Sequence, residues 1–204
     1  MPPNNERALF GGFCIRRGGV NVPDVIEEKY ELIDGKEVML SAASISHLNI
    51  QGNLYHILKN YLKGKRCKVF SEARVVFENK NWFQPDLIVV CDKNKIKDTY
   101  IDGAPDFVAE VLSPTTQLRD FGIKKDTYEK FGVREYWIIS PKEETIAVYL
   151  LKDGKYRIDH VYHKYTEEEW RWLTDEEKAE QSLALKISLY DDLEIDIRDV
   201  FEDE

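Results

Sequence analysis

"PDFVAEVLSPTTQLRDFGIKKDTYEKFGVREYWIIS", residues 105–140, carries a strand, a helix and a second strand in succession. Phe107, Val108, Ala109, Val111 and Leu112 form a short apolar run of the kind a buried strand shows, and Glu110 interrupts it. A carboxylate in such a run is costly unless something neutralises it. After Asp120, which has the chemistry of an N-cap, "FGIKKDTYEKF" has helical spacing and stops at Gly132. "REYWIIS" follows as another short buried strand, ending at Pro141. On a helix beginning near Phe121, Lys124 shares a face with Tyr128 and Phe131 and points toward the strand carrying Glu110. Lys125 falls four residues before Glu129, the spacing of an exposed ion pair.

Working outward, "PDLIVVC" is a strand opened by Pro85, with Asp86 at its mouth, and "CKVFSEARVVF" before it also reads as strand. His47, Ile50, Leu54, Ile57, Leu58 and Tyr61 make one helical stripe from about Ser44 to Leu62, with Ser44 or Ser46 as cap. "YELIDGKEVMLS" and "TIAVYLLKDGKYRIDHVY" alternate around Asp34-Gly35 and Asp153-Gly154, two hairpin turn signals. A short helix is expected over 25–29. "EEEWRWLTDEEKAEQ" is charged and helical, with Trp170 and Trp172 expected to pack it onto the body, and "LKISLYDDLEIDIRDVF" has two strand-like runs. The expected fold class is one mixed α/β domain, helices packed on a central sheet, after a loose leader at 1–23. Residues 166–182 form an acidic helical insertion and 183–204 C-terminal strands.

The 204 residues are 43% hydrophobic and 33% charged, ordinary for a globular chain. The net charge of −9 is unevenly spread: residues 166–204 carry −11 and the remainder +2. Lys59 to Lys80 holds seven bases and two acids, so a basic face remains open beside an ordinary solvated surface. Cys14, Cys67 and Cys91 are odd in number and widely spaced, which suggests a reducing compartment and makes no metal knuckle. The N-terminal stretch lacks the apolar core of a signal peptide, and no apolar run approaches the roughly 20 residues of a membrane span. A cytoplasmic protein is expected.

If the strands bearing Asp86 and Glu110 pair, both carboxylates project from one region of sheet. Two close carboxylates must take up a proton or bind a cation, and an oxygen-only pair suits Mg²⁺ or Mn²⁺. The blander readings are a turn residue for Asp86 and a structural salt bridge from Lys124 for Glu110.

In the order Pro85-Asp86, Glu110-Val111-Leu112 and a helical lysine, the chain resembles the PD-(D/E)XK nuclease superfamily. More closely, "YELIDGKEVML", "QPDLIVV", "APDFVAEVLSPTT", "RDFGIKKDTYEKFGVREYWIISP" and "VYLLKDGKY" are similar to the bacterial Uma2-type family of restriction-endonuclease-like proteins. The likeness covers roughly Tyr30 to Tyr156, with a weaker echo in "LEIDIRDVF". It implies a restriction-endonuclease-like core with an N-terminal β-hairpin and an acidic C-terminal extension. It implies Asp86, Glu110 and the Val111 carbonyl as ligands of Mg²⁺ or Mn²⁺. Where the superfamily places its lysine, two residues after the acid, this chain has Leu112, and Lys124 matches the family's relocated lysine. His47 and Gln84 match assisting positions, each open to a structural reading as well. Asp120 is read as a cap more than a ligand, and Arg119 as a loop cation beside a possible phosphate. The implied function is metal-dependent hydrolysis of DNA by a homodimer. The alternative is an inactive nucleic-acid-binding or assembly protein that keeps the fold, and an RNA or nucleotide substrate also stays open.

Overall fold

In the computed structural model, residues 29–78 and 81–202 are described. The expected leader and the helix over 25–29 therefore lie outside the described residues, apart from Lys29.

The architecture is mixed α/β, as expected, but its strands divide between two sheets. The larger has six strands. These are β3 (Lys68–Ser71), β6 (Leu87–Val90), β8 (Phe107–Val111), β9 (Glu135–Ser140), β10 (Thr145–Lys152) and β11 (Lys155–His163), ordered β11-β10-β9-β8-β6-β3. Only β8 and β9 run parallel in it, joined by the helical segment of the 105–140 stretch. The smaller sheet is built on the hairpin β1 (Tyr30–Ile33) and β2 (Lys36–Met39). It adds β4 (Val75–Glu78), β5 (Asn81–Phe83) and β7 (Ile101–Asp102) in the order β2-β1-β5-β4-β7. "CKVFSEARVVF" is thus not one strand: Glu72, at φ +51°, turns the chain from one sheet into the other. A short pair, β12 (Ala184–Lys186) and β13 (Glu194–Asp196), closes the C-terminal part.

The central strands are buried on both faces, which is why they read as continuous apolar runs rather than alternations. Leu87, Val89, Phe107, Ala109 and Val111 face helix α1 (Ile45–Tyr61) and the C-terminal segment. Ile88, Val90 and Val108 face the smaller sheet and Tyr128. Because side chains alternate, Asp86 and Glu110 belong to this second face. The register Leu87↔Ala109, carried one step further, sets them opposite each other.

Ser44 caps α1, accepting a hydrogen bond from the His47 N–H, as its position suggested. Both hairpin turns have the positive φ pairs expected of them, at Asp34-Gly35 and Asp153-Gly154. The second helical segment departs from expectation. It begins earlier, with α2 (Gln117–Arg119), passes through a π-type turn (Asp120–Lys124), and continues as α3 (Lys125–Phe131). Asp120 is consequently no N-cap but an interior, buried residue. Lys125 does not pair with Glu129; it lies over the Tyr149 ring at 4.7 Å, while Glu129 binds Lys155 Nζ at 2.7 Å and the Tyr156 N–H at 2.6 Å.

Two cysteines are partnered. The β3–β6 register brings Cys67 opposite Cys91, and a disulfide joins them across 24 residues of sequence. Their wide spacing along the chain gave no sign of this pairing. The acidic stretch forms α4 (Glu167–Trp172) and α5 (Asp175–Glu180), each opened by a Thr/Glu capping box. Trp170 meets Tyr165 edge-on, but Trp172 is 81% exposed and does not pack onto the body among the described residues as expected. A final helical turn, α6 (Ile197–Val200), replaces the second strand-like run beyond Asp196. None of the described helices is long and apolar enough to cross a membrane.

Candidate functional site

A cleft of about 680 Å³ opens where the two sheets and the start of α1 meet. His47, Gln84, Asp86, Glu110, Val111 and Lys124 all line it, so every site residue expected from sequence reaches one place. Asp86, just ahead of β6, uses both oxygens: Oδ1 lies 3.0 Å from His47 Nε2, and Oδ2 accepts the Val111 N–H at 2.7 Å. The second contact follows from topology. The Leu112 N–H goes to the Ile139 carbonyl on β9, so the backbone groups of Val111 face the opposite side, toward β6. β6 starts only at Leu87, leaving the Asp86 carboxylate to take the N–H and the Val111 carbonyl directed past the end of that strand.

Glu110, 3% exposed, accepts from Lys124 Nζ at 3.0 Å and from the Tyr128 hydroxyl at 2.6 Å, both on Oε1. Burial raises its pKa well above the ordinary carboxylate value. Lys124 opposes that shift, and Asp120, Asp86 and Glu31 add to it. Lys124 is as buried as its partner and meets three carboxylates: Glu110, Glu31 Oε1 at 3.0 Å and Asp120 Oδ1 at 3.6 Å. Burial alone would depress its pKa. The charges of Glu110, Glu31 and Asp120 outweigh burial and hold the ammonium above the ordinary lysine value. The charged form of this lysine is thereby favoured. For His47, burial likewise lowers the pKa, but the hydrogen bond and charge of Asp86 prevail and raise it.

Two acids of this network were not singled out from sequence. Glu31, on β1, is fully buried and accepts the Gln84 N–H at 2.9 Å as well as Lys124. Its Oε2 has no hydrogen-bond partner and stands 4.0 Å from Arg119 Nη1, which has none either, so Arg119 is a partly buried cation beside Glu31 and not an exposed loop cation. The signal was present in "YELI", an acid between apolar neighbours like that in "FVAEVL". Asp120 reaches the cleft through the π-type turn, and its Oδ1 is buried without a hydrogen-bond partner. Such turns are frequent at functional sites. Burial, then Asp86 and Glu31, raise its pKa against the pull of Lys124 and Thr116.

The donors suit a hard cation. Glu31, Glu110 and Asp120 gather around Lys124, and Asp86 lies close enough to raise the Glu110 pKa further, so the floor of the cleft is rich in carboxylate oxygen. Among the described residues no group of three or more His, Cys, Asp or Glu side chains is arranged to hold a metal ion by itself. Asp86, Glu110 and the Val111 carbonyl offer oxygen donors only. This fits Mg²⁺ or Mn²⁺, which keeps water and substrate oxygens among its ligands, better than zinc.

Residues 22–186 match the family described as "Uma2: Putative restriction endonuclease". The chain belongs to this family. Two Synechocystis proteins, "Uncharacterized protein slr1290" and "Uncharacterized protein sll1609", are similar to it. The first is 31% identical over 129 residues, 62% of this chain and 68% of its own. The second is 30% identical over 148 residues, 70% of this chain and 76% of its own. A solved structure from Anabaena variabilis, titled "a putative nuclease belonging to DUF820", superposes with a TM-score of 0.66. It covers 86% of this chain and 90% of that one at 22% identity, a likeness of fold alone. The Uma2 assignment agrees with the resemblance read from the motifs.

Proposed function

We propose that this protein is an endonuclease that hydrolyses DNA phosphodiester bonds with a divalent cation, Mg²⁺ or Mn²⁺. The observation that carries the reading is the meeting of Asp86 and Glu110 in one cleft beside a buried lysine, 3.0 Å from Glu110. Asp86, Glu110 and the Val111 carbonyl would hold the cation. When bound, it supplies Lewis acidity toward the phosphate and toward water. Lys124 places a positive charge where the pentavalent phosphorus gathers negative charge, stabilising it without reorganisation. His47 steadies Asp86 through its 3.0 Å contact, and Gln84 lines the cleft where it can hold a water or a phosphate oxygen. Membership of Uma2 supports a nuclease reading, and the oxygen-only donor set supports a hard metal.

The reading extends to a homodimer, since cutting both strands of a duplex takes two clefts, and to one domain spanning 24–204. It also places the protein in the cytoplasm, where Cys67 and Cys91 would stand as two facing buried thiols. Incubation with supercoiled plasmid in Mg²⁺ tests the function. The wild type should nick and linearise it, EDTA should stop the reaction, and Asp86→Asn and Glu110→Gln should each lower the rate at least about a hundredfold. Salt-sensitive DNA binding with no cleavage in either metal would instead support the non-catalytic alternative.

A further inference from the structure

One wall of the cleft does not belong to the charged network. It is formed by Met39 at the end of β2, Leu40 to Ala43, and Leu48 on the first turn of α1. The wall carries no charge, and two of its three large side chains are 49% (Met39) and 45% (Leu48) exposed, with Leu40 half-buried. The cleft's cations are already engaged. Lys29 is bound to Glu72 at 2.6 Å, and Lys124 is shared among its acids. Against these two lysines stand Glu72, Asp86, Glu110 and Asp120.

An intact duplex is held mainly through its phosphates, by cations free to displace counterions. Among the described residues this cleft offers almost none. Its floor is also deep, with Glu110 and Lys124 nearly inaccessible from outside. An unpaired nucleotide meets the opposite requirements. Its base presents an apolar face, and proteins that take single strands or extruded bases hold them against apolar and aromatic side chains. A volume of about 680 Å³ is in the range of pockets that enclose small ligands.

We propose that the cleft takes an unpaired nucleotide, its base on the Met39–Leu48 wall and its phosphate directed to Asp86, Glu110 and Lys124. Single strands, loops and frayed ends are then the substrates, and continuous duplex is poor. In supercoiled plasmid the locally unpaired regions are what is cut. The inference rests on the endonuclease reading and names the substrate form for the same site.

The test uses the full chain in Mg²⁺ with one labelled oligonucleotide in three forms: single strand, annealed duplex, and duplex with a central unpaired bubble. The inference expects single strand and bubble to be cut at least about tenfold faster than duplex, the bubble within its unpaired stretch. It expects the Met39→Ala, Leu48→Ala double variant to raise KM for the single strand at least about fivefold, consistent with loss of one base contact, with kcat little changed. Equal rates on duplex and single strand overturn it, as does an unchanged KM. A double variant that changes sedimentation instead of KM marks the wall as a contact between copies and also overturns it. If the wild type cuts none of the three, the endonuclease reading falls. Fluorescence anisotropy of a labelled single strand then decides the inference: fivefold weaker binding by the double variant supports it, and equal binding overturns it.

Discussion

Lys124 holds a cluster of like charges together, and its removal shows how strongly. Lys124→Met leaves Glu31, Glu110 and Asp120 buried without their cation, a change expected to cost about 3–5 kcal/mol by the rule for broken buried ion pairs. The pH dependence has a definite sign. Glu110 and Asp120 already have raised pKa values in the fold, so their protonated forms favour it, and that contribution is lost as pH rises through the raised values. The variant should accordingly be closer to wild type near pH 5 than near pH 8 in urea denaturation; an equal deficit at both would contradict the charge account. Glu31→Gln keeps an acceptor for the Gln84 N–H but removes charge from Lys124, so it should be milder than Glu31→Ala, which loses both. Asp86, Glu110 and Lys124 were legible in the sequence because an acid in an apolar strand and a lysine on the packed face of a helix each demand a partner. Glu31 was not. Its strand sits in a hairpin where alternation does not say which face is covered, and the covering strand, paired at Leu32↔Trp82, lies 50 residues on.

Elements place these residues, and the start of α1 is the simplest to perturb. Ser44 caps the helix through the His47 N–H, and His47 in turn meets Asp86. Ser44→Ala should cost about 1 kcal/mol in chemical denaturation. It should also lower the His47 pKa measured by NMR, since a loosened first turn weakens the Asp86 contact that raises it. An unchanged His47 titration would show that the cap does not position the ring. The π-type turn has the opposite history: Asp120 was taken as a cap because Asp before a helical run ordinarily is one. The helix in fact starts three residues earlier, at Gln117, and the wider turn carries Asp120 inward. Nothing in composition marks a π-type turn, since it depends on how the helix must enter between two sheets. The break inside "CKVFSEARVVF" was hidden similarly, because Glu72 adopts a positive φ that sequence does not advertise.

At the scale of the molecule, the six-stranded sheet is clamped at several remote points. Cys67–Cys91 ties β3 to β6, the strand that presents Asp86. A link closing a loop of this length is worth about 3 kcal/mol, so reduction, or Cys67→Ser with Cys91→Ser, should lower the melting temperature by several degrees. An unchanged melting point would show that the link bears no load. At the far end, buried Glu135 accepts from Trp137 Nε1 and from the Ser188 N–H and hydroxyl, fastening the C-terminal segment to β9. The α/β class and the strands of the 105–140 stretch were readable because doubly covered strands are continuously apolar. The second sheet was not, since its strands come from three separated stretches and its pairings are long-range. The central claim is that Asp86 and Glu110 form an oxygen-only cation site within this frame, and calorimetric titration of Mn²⁺ tests it most directly. A raised Glu110 pKa sets proton and cation in competition, so affinity should rise with pH, and binding should be lost in both Asp86→Asn and Glu110→Gln. Equal Mn²⁺ affinity in the wild type and both variants would contradict the account.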